Sequence, residues 1–184
     1  IRPLLDRCRA AGSTLDAPEL ATLIPVLHAA PKLNAWGRAI RAVAPSLDAL
    51  TGSVPRLSDL SETLSRAIEP GGEVTDVASP RLGRLRRDLR ERRRRLLGDL
   101  ERLLQGTDER ILADRFVTIR HGRYVLPIRA EARGRFRGIV HDRSQSGQTL
   151  FVEPEHLVEA NNDLAELQLA EEHEIARILA ELTD

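Results

Sequence analysis

The sequence contains a single cysteine, no methionine and very few aromatic residues. Because Cys8 has no possible partner within the chain, an internal disulfide is excluded, and a reducing compartment such as the cytoplasm is predicted. Aromatic residues make up only 3% of the chain, so its core must be built from Leu, Ile, Val and Ala. That composition favours helices over a β-sandwich and predicts a mainly helical protein.

Long apolar runs are also missing. None approaches the roughly 18 residues of a membrane-spanning helix, and the charged start of the chain lacks the apolar stretch of a signal peptide. We therefore expect no membrane partner. The lack of Met even at position 1 predicts that the chain is part of a longer protein.

Sequence motifs for catalysis are absent as well. Neither of the phosphate-loop patterns GxxxxGK[ST] and GxGxxG occurs, and the histidines show no metal-ligand spacing. His141 and Asp142 are adjacent in sequence, and neighbours in a strand point to opposite faces of a sheet, so they are not expected to form a catalytic dyad. The sequence therefore predicts no catalytic residue, cofactor site or metal site in this chain.

Charge is plentiful but unevenly distributed. The 28 basic and 28 acidic side chains cancel overall, yet residues 1–80 carry a net charge of −1, residues 81–143 of +10 and residues 144–184 of −9. Blocks of this size indicate partners that the total hides. Lys32 is the sole lysine against 27 arginines, for which a GC-rich genome is the simplest explanation and selection for the bidentate arginine fork the alternative.

The first 70 residues contain patterns typical of short helices. Asp16 and Glu19 form a capping-box pattern, and Pro25 is expected to bend or end the helix that follows. A second helix should start near Pro31 and end before Pro45. Apolar side chains at helical spacing indicate this helix and a third one: Leu33, Trp36, Ile40 and Val43, then Leu57, Leu60, Leu64 and Ile68.

Two long helices are predicted in the rest of the chain. Ser79 is an N-cap residue before a first-turn proline, and the leucine pattern continues to Gly106, a length of about 40 Å. The second opens at Pro154, and polar residues at positions 161, 168 and 171 interrupt its apolar heptads. The simplest geometry is an antiparallel pair with opposite net charges, +6 for residues 81–106 and −8 for residues 154–184.

Residues 115–153 contain short segments rich in β-branched and aromatic residues, separated by turn sequences. They predict a three- or four-stranded antiparallel meander at the end of the helix pair. Pro127 indicates an edge strand or a bulge, and Gly147 is expected to have a positive φ. The predicted domains are a helical core or lever domain, residues 1–78, and a clamp-like helical hairpin, residues 79–184, with the sheet at about 115–153.

The predicted sheet is also strongly basic and has little opposite charge in its own sequence, since residues 115–143 hold eight arginines against two acids. Arginine makes charge-assisted contacts with phosphate, and Ser, Thr and Gly add hydroxyl and backbone donors. Few aromatic residues are available for base stacking, so contact with a nucleic-acid backbone is favoured. The alternative is a solvated basic surface.

The run GRYVLPIRAEARGRFRGIVHDRSQSGQTLFVEP, residues 122–154, resembles the bacterial MutS-two family, the MutS paralogues with a C-terminal Smr nuclease domain. GEVTDVASPRLGRLRR before it and NNDLAELQLAEEHEI after it also fit that family. The resemblance implies that the chain is the core (or lever) and clamp region, whose sheet contacts the DNA backbone without reading sequence. It also implies that the ATPase domain, with its ATP and Mg, and the Smr endonuclease domain lie outside the chain.

The resemblance further implies the partners of the whole protein. They are duplex or branched DNA, the ribosome and its rRNA, or both. The resemblance also implies that the whole protein is a homodimer that suppresses homologous recombination, splits stalled ribosomes, or does both. The alternative is a structural lever or dimerisation module without nucleic-acid contact. Combining resemblance and charge, the candidate nucleic-acid-binding residues are Arg123, Arg129, Arg133, Arg135, Arg137, His141, Arg143, Ser144, Ser146 and Thr149.

Overall fold

The computed structural model describes residues 1–9 and 12–184, which divide into two compact units. The first unit comprises Ile1–Arg84 and Glu172–Asp184, and the second comprises Leu85–Glu171. The prediction of a mainly helical protein with a small antiparallel sheet and a long helix pair is confirmed. Within the described ranges, no helix is both long and apolar enough to cross a membrane.

Helices make up the first unit. It contains four of them complete, together with the start of α5 and the end of α6. The bounds are α1 Arg2–Cys8, α2 Ala17–Ala39, α3 Pro45–Gly52, α4 Ser58–Ala67, α5 Pro80–Gly106 and α6 Val158–Thr183. The predicted division into residues 1–78 and 79–184 stays a prediction, because the two units are defined by packing and not by independent folding.

Helix α2 begins at the predicted capping box. The Glu19 backbone N–H donates to the Asp16 carboxylate at 2.8 Å, and the Asp16 N–H donates to the Glu19 carboxylate at 3.0 Å. Of the two outcomes predicted for Pro25, the end of a helix is wrong, and so is the separate helix near Pro31, since α2 runs through both prolines. Apolar residues before and after Pro25 pack in the same core, which offsets the backbone hydrogen bond that proline removes.

The third predicted helix is confirmed as α4, whereas α3 was not predicted. Helix α3 packs closely on α2, because a Cβ added at Gly37 would lie 1.8 Å from the Thr51 hydroxyl. Asn34 links the end of α3 to α2 by donating to the Val54 carbonyl at 3.0 Å. The core of this unit is built from leucine and isoleucine, as the composition predicts: Leu15, Leu20, Leu64, Ile68, Leu82 and Ile178.

The second unit holds a four-stranded sheet against parts of α5 and α6. Its strands are β1 Thr118–Arg120, β2 Arg123–Arg129, β3 Gly138–Arg143 and β4 Thr149–Pro154. The strand order is β1-β2-β4-β3 with every neighbouring pair antiparallel, so the predicted meander is wrong in its order. The 3₁₀ helix Ala130–Arg135 follows β2 and carries the chain past the place that β4 occupies, so β3 lies at the edge.

Pro127 does not lie in an edge strand or at a bulge, because β2 is between β1 and β4 and the one register shift is in β3. The Pro127 carbonyl accepts a hydrogen bond from the Ala113 N–H, in the segment that precedes the short strand β1. The chain there forms only an isolated bridge, Leu112 with Ile128. A missing N–H is tolerated at this position because no regular ladder faces it.

One face of the sheet packs on the long helices. Leu126, Ile128 and Val152 are completely buried there, together with leucines of α5 and α6. Two ion pairs show that these helices run antiparallel in this unit. Arg86 of α5 binds Glu171 of α6. Arg92 lies further along α5 and binds Asp163, which comes earlier on α6. The opposite charges predicted for the two helices therefore meet directly.

Candidate nucleic-acid interface

The β3–β4 hairpin brings together five of the ten candidate residues at one end of the sheet. Thr149 pairs with Arg129 of β2, and Arg143 pairs with the next residue of β4. Ser144 closes the hairpin, because its N–H donates to the Thr149 carbonyl at 2.9 Å and its hydroxyl accepts from the Thr149 N–H at 3.0 Å. Gly147 has the predicted positive φ, +73°. Ser146 is exposed in this loop.

The two arginines at this end differ in their contacts. Arg129 donates from Nε to the Leu112 carbonyl at 3.0 Å, which ties β2 to the preceding segment. The Arg143 side chain is exposed and has no ion pair in the part of the chain that the structure describes. Arg143 is therefore free to contact a phosphate, whereas Arg129 is partly committed to the fold.

Arg133 and Arg137 lie near the opposite end of β3. The Arg133 guanidinium donates to the carbonyls of Phe136 and Gly138, both at 2.9 Å. Arg137 is exposed, lacks an ion pair among the described residues, and lines an open groove of about 650 Å³ with Ile139 and one acid, Glu155. Arg133 therefore holds the chain before β3 in place, and Arg137 is the available cation.

This difference predicts different effects on stability. Arg133→Gln should lower the free energy of unfolding by about 2 kcal/mol, because two carbonyls lose a charged donor. Arg137→Gln should change it by less than about 0.5 kcal/mol, since Arg137 is an exposed side chain without a partner. Thermal unfolding followed by circular dichroism measures both. Equal melting temperatures for the two variants would contradict the assignment of Arg133 to the fold.

Arg135 lies in a less basic setting. Its guanidinium is 3.9 Å from the Asp108 carboxylate, at the limit of an ion pair. Arg135, Arg110 and Arg129 line one groove together with Glu109 and Glu131. Two acids among three arginines reduce the positive potential here, so this groove is a weaker candidate for phosphate than the exposed ends of β3.

Arg123 and His141 serve a buried carboxylate on the sheet face away from the leucine core. Glu153 is only 1% exposed, and its Oε2 lies 2.5 Å from the His141 Nε2. Arg123 lies 3.5 Å from the other carboxylate oxygen and donates to the Asn162 side chain at 2.6 Å. A buried carboxylate needs such partners, so both residues are committed to the fold.

Arg120 has a comparable role on the same face, which the sequence pattern did not reveal. Its guanidinium carbon lies 4.0 Å from the centre of the Phe151 ring, and its Nε is 3.0 Å from the Asp142 carboxylate. His141 and Asp142 thus contact different partners. Within residues 1–9 and 12–184, no group of three or more His, Cys, Asp or Glu side chains is arranged to hold a metal ion.

The candidate residues therefore do not form one continuous patch. One group is at the hairpin, a second is near the start of β3, and a third surrounds Glu153. Helix α5 adds exposed arginines without ion pairs in the described ranges, namely Arg84, Arg87, Arg93 and Arg94. Its residues Arg86, Arg92, Arg95 and Arg102 are paired. Sequence alone does not separate the paired arginines of this helix from the unpaired ones.

Fold and surface together define a helical protein with a long helix pair and a small arginine-rich antiparallel sheet, as the resemblance to MutS relatives predicts. No family model matches the chain. Comparison with curated proteins nevertheless shows that the chain, over nearly its whole length, is homologous to a region of Endonuclease MutS2.

The identity is substantial in several organisms. The chain is 46% identical to Endonuclease MutS2 of Thermomicrobium roseum over 175 residues and 39% identical to that of Lacticaseibacillus casei over 178 residues, with 94% of the chain covered in each. It is 38% identical to Endonuclease MutS2 of Lactiplantibacillus plantarum over 189 aligned residues, which cover the whole of this chain. The chain spans only 22% to 24% of the length of these relatives.

Proposed function

We propose that this chain is the core and clamp region of a MutS2-like protein, and that it binds the backbone of nucleic acids without reading sequence. The observation that carries the proposal is a pair of exposed arginines at the two ends of the edge strand, Arg137 directly before β3 and Arg143 at its last position, in a chain homologous to MutS2. Neither has an ion pair among the described residues.

The aromatic residues of the second unit favour backbone contact over stacking on bases. Tyr124, Phe136 and Phe151 are all buried, and Phe116 alone is substantially exposed, at 44%. Proteins that bind single strands by stacking present several exposed aromatic side chains. A surface of arginines, serines and threonine around a buried aromatic core is suited to phosphate and not to bases.

The function of the whole protein is a further part of the proposal. The relatives are named endonucleases, and this chain spans less than a quarter of their length. We place the ATPase site, with ATP and Mg, and the Smr endonuclease outside residues 1–184. In a homodimeric whole protein, the clamp would hold branched DNA during suppression of homologous recombination and in DNA repair, or rRNA when stalled ribosomes are split.

A structural lever is the second candidate function. The observation in its favour is that α5 and α6 are joined by ion pairs, so that several arginines of α5 are used within the chain. A lever that only couples an ATPase to a partner would bind duplex DNA and ribosomal subunits no better than a protein of similar charge. Competition of duplex DNA, branched DNA and ribosomal subunits for the chain, at one stated salt concentration, separates these functions.

The test of backbone binding is a double variant, Arg137→Gln with Arg143→Gln. Each lost phosphate contact should reduce the slope of log affinity against log salt by about 0.9, so the double variant should reduce it by about 1.8. Fluorescence anisotropy of a labelled duplex between low and moderate salt measures the slope.

The matched control removes two arginines from the first unit, Arg2→Gln with Arg38→Gln, both of which are exposed and lack ion pairs in the described ranges. Net charge changes equally in the two variants, so any general charge effect is common to both. If the slope is the same for the control, the test variant and the unchanged chain, Arg137 and Arg143 do not contact the phosphates.

A further inference from the structure

A cleft of about 740 Å³ lies between α2 and α4 in the first unit. Its walls bring together three cations from three places in the chain: Lys32 from α2, Arg56 from the segment before α4, and Arg66 from near the end of α4. Glu62 is the one acidic residue in the lining. The sole lysine of the sequence is therefore part of a cationic cleft.

The charged side chains of this cleft are not used within the fold. In the described ranges, Lys32, Arg56 and Arg66 have no carboxylate within 4 Å, and Glu62 pairs with none of them. Elsewhere in the same unit arginines do find acids, as Arg41 does with Asp48 at 2.5 Å. Three cations around one cleft repel each other, and an anion placed between them would remove that repulsion.

The cleft also offers hydroxyl donors. Ser58 and Ser61 line it, and neither hydroxyl makes a hydrogen bond among the residues that the structure describes. A neighbouring serine of the lining, Ser65, is already bonded to His28 at 3.2 Å and is not available in the same way. Unpaired cations and unpaired hydroxyls therefore face one space.

We propose that this cleft binds a phosphate group, with Lys32, Arg56 and Arg66 as its cations and Ser58 and Ser61 as its hydroxyl donors. Phosphate fits better than a carboxylate, because it carries more negative charge near neutral pH and has more acceptor oxygens for several donors at once. The phosphate belongs either to a small phosphorylated molecule or to a nucleic-acid backbone. The cleft is independent of the arginines of β3, which belong to the second unit.

The test is titration of the 184-residue chain with pyrophosphate at neutral pH and about 0.15 M salt, followed by amide NMR. We expect shifts at Lys32, Ser58 and Ser61 with a Kd on the order of 1 mM. The double variant Lys32→Gln with Arg56→Gln should raise that Kd at least about tenfold, because two charge-assisted contacts are lost. Both side chains are exposed, so the variant should keep the melting temperature of the unchanged chain.

The control is Arg2→Gln with Arg84→Gln, two exposed arginines of the first unit that line no part of this cleft and have no ion pair in the described ranges. It should leave the Kd for pyrophosphate within about twofold. A second titration with a short DNA duplex distinguishes the two sources of phosphate. Shifts of the same amides with pyrophosphate alone support a small phosphorylated ligand, and shifts with the duplex at lower concentration support a nucleic-acid backbone. No shift at these amides with either ligand, or equal weakening by the control, overturns the proposal whatever the arginines of β3 do.

Discussion

Replacing Glu174 with alanine should lower the free energy of unfolding of the first unit by about 3 kcal/mol. Glu174 is only 2% exposed, yet it is ionised and fully partnered. Ser79 donates from its hydroxyl at 2.7 Å, and Arg177 donates at 2.6 Å and 3.2 Å. Ser79 also accepts from the Leu82 N–H at 2.9 Å, so the carboxylate holds the residue that caps α5.

The sole tryptophan, Trp36, lies in the first unit and provides the measurement. Thermal unfolding followed by its fluorescence should show a decrease of roughly 9 °C in the Tm of Glu174→Ala, given the size of the chain. The matched control is Glu172→Ala, an exposed position on the same helix, which should change the stability by less than about 0.5 kcal/mol. Equal decreases in the two variants would mean that the buried carboxylate contributes nothing specific.

The same group predicts how stability depends on pH. Hydrogen bonds from Arg177 and Ser79 lower the pKa of Glu174 from 4.5 to about 2. Between these values the unfolded chain binds the proton more tightly than the folded chain does, so stability rises with pH. The contribution is therefore complete above about pH 5 and is lost as the pH falls towards 2. Glu174→Gln cannot titrate, so acid should destabilise it by less than the unchanged chain.

The parts of the fold that follow from local chemistry were predicted from sequence. The capping box at Asp16 and the Ser79–Pro80 start of α5 each depend on residues within one turn of a helix, and both are present in the structure. Pro25 shows the limit of such rules. A local rule predicts that the helix bends or ends there. The helix does not end, because leucines on both sides of Pro25 pack in a common core, and no short pattern contains that information.

The order of the strands in the sheet likewise does not follow from local sequence patterns. Alternation of apolar residues predicts that strands exist, and it does not say which strand pairs with which. A meander requires that strands adjacent in sequence are also adjacent in the sheet, whereas β4 pairs with both β2 and β3. The placement of β4 between them depends on the 3₁₀ helix after β2, which turn-forming residues alone did not predict.

For the candidate site, sequence predicted the charge of the segment but not its use. Arg133 and Arg137 are four residues apart, identical in type and equally attractive for phosphate in the sequence. In the structure Arg133 donates to two backbone carbonyls, whereas Arg137 is exposed. Whether an arginine is free depends on acceptors that the fold brings near it, so composition can locate a basic segment but cannot rank its members.

Asn161 is a polar residue in an apolar pattern, and its role can be assigned only from its contacts in the structure. In sequence it interrupts the heptads of α6, which suits a lever. In the structure Asn161 is 1% exposed, and its amide holds both backbone groups of one residue of β2. Its Oδ1 accepts from the Tyr124 N–H at 2.9 Å, and its Nδ2 donates to the Tyr124 carbonyl at 3.2 Å. The amide thus joins α6 to the sheet.

Asn161→Ala should therefore lower the stability of the second unit by about 3 kcal/mol, because two buried backbone groups lose their partners at once. Amide hydrogen exchange at Leu126 and Val152, in the centre of the sheet, should become roughly 100-fold faster. The control is Glu159→Ala, an exposed position in the same helix, for which exchange should stay within about threefold of the unchanged chain. If Asn161→Ala falls within that same threefold range, water or a shifted side chain satisfies Tyr124, and the amide is not what fixes the sheet to α6.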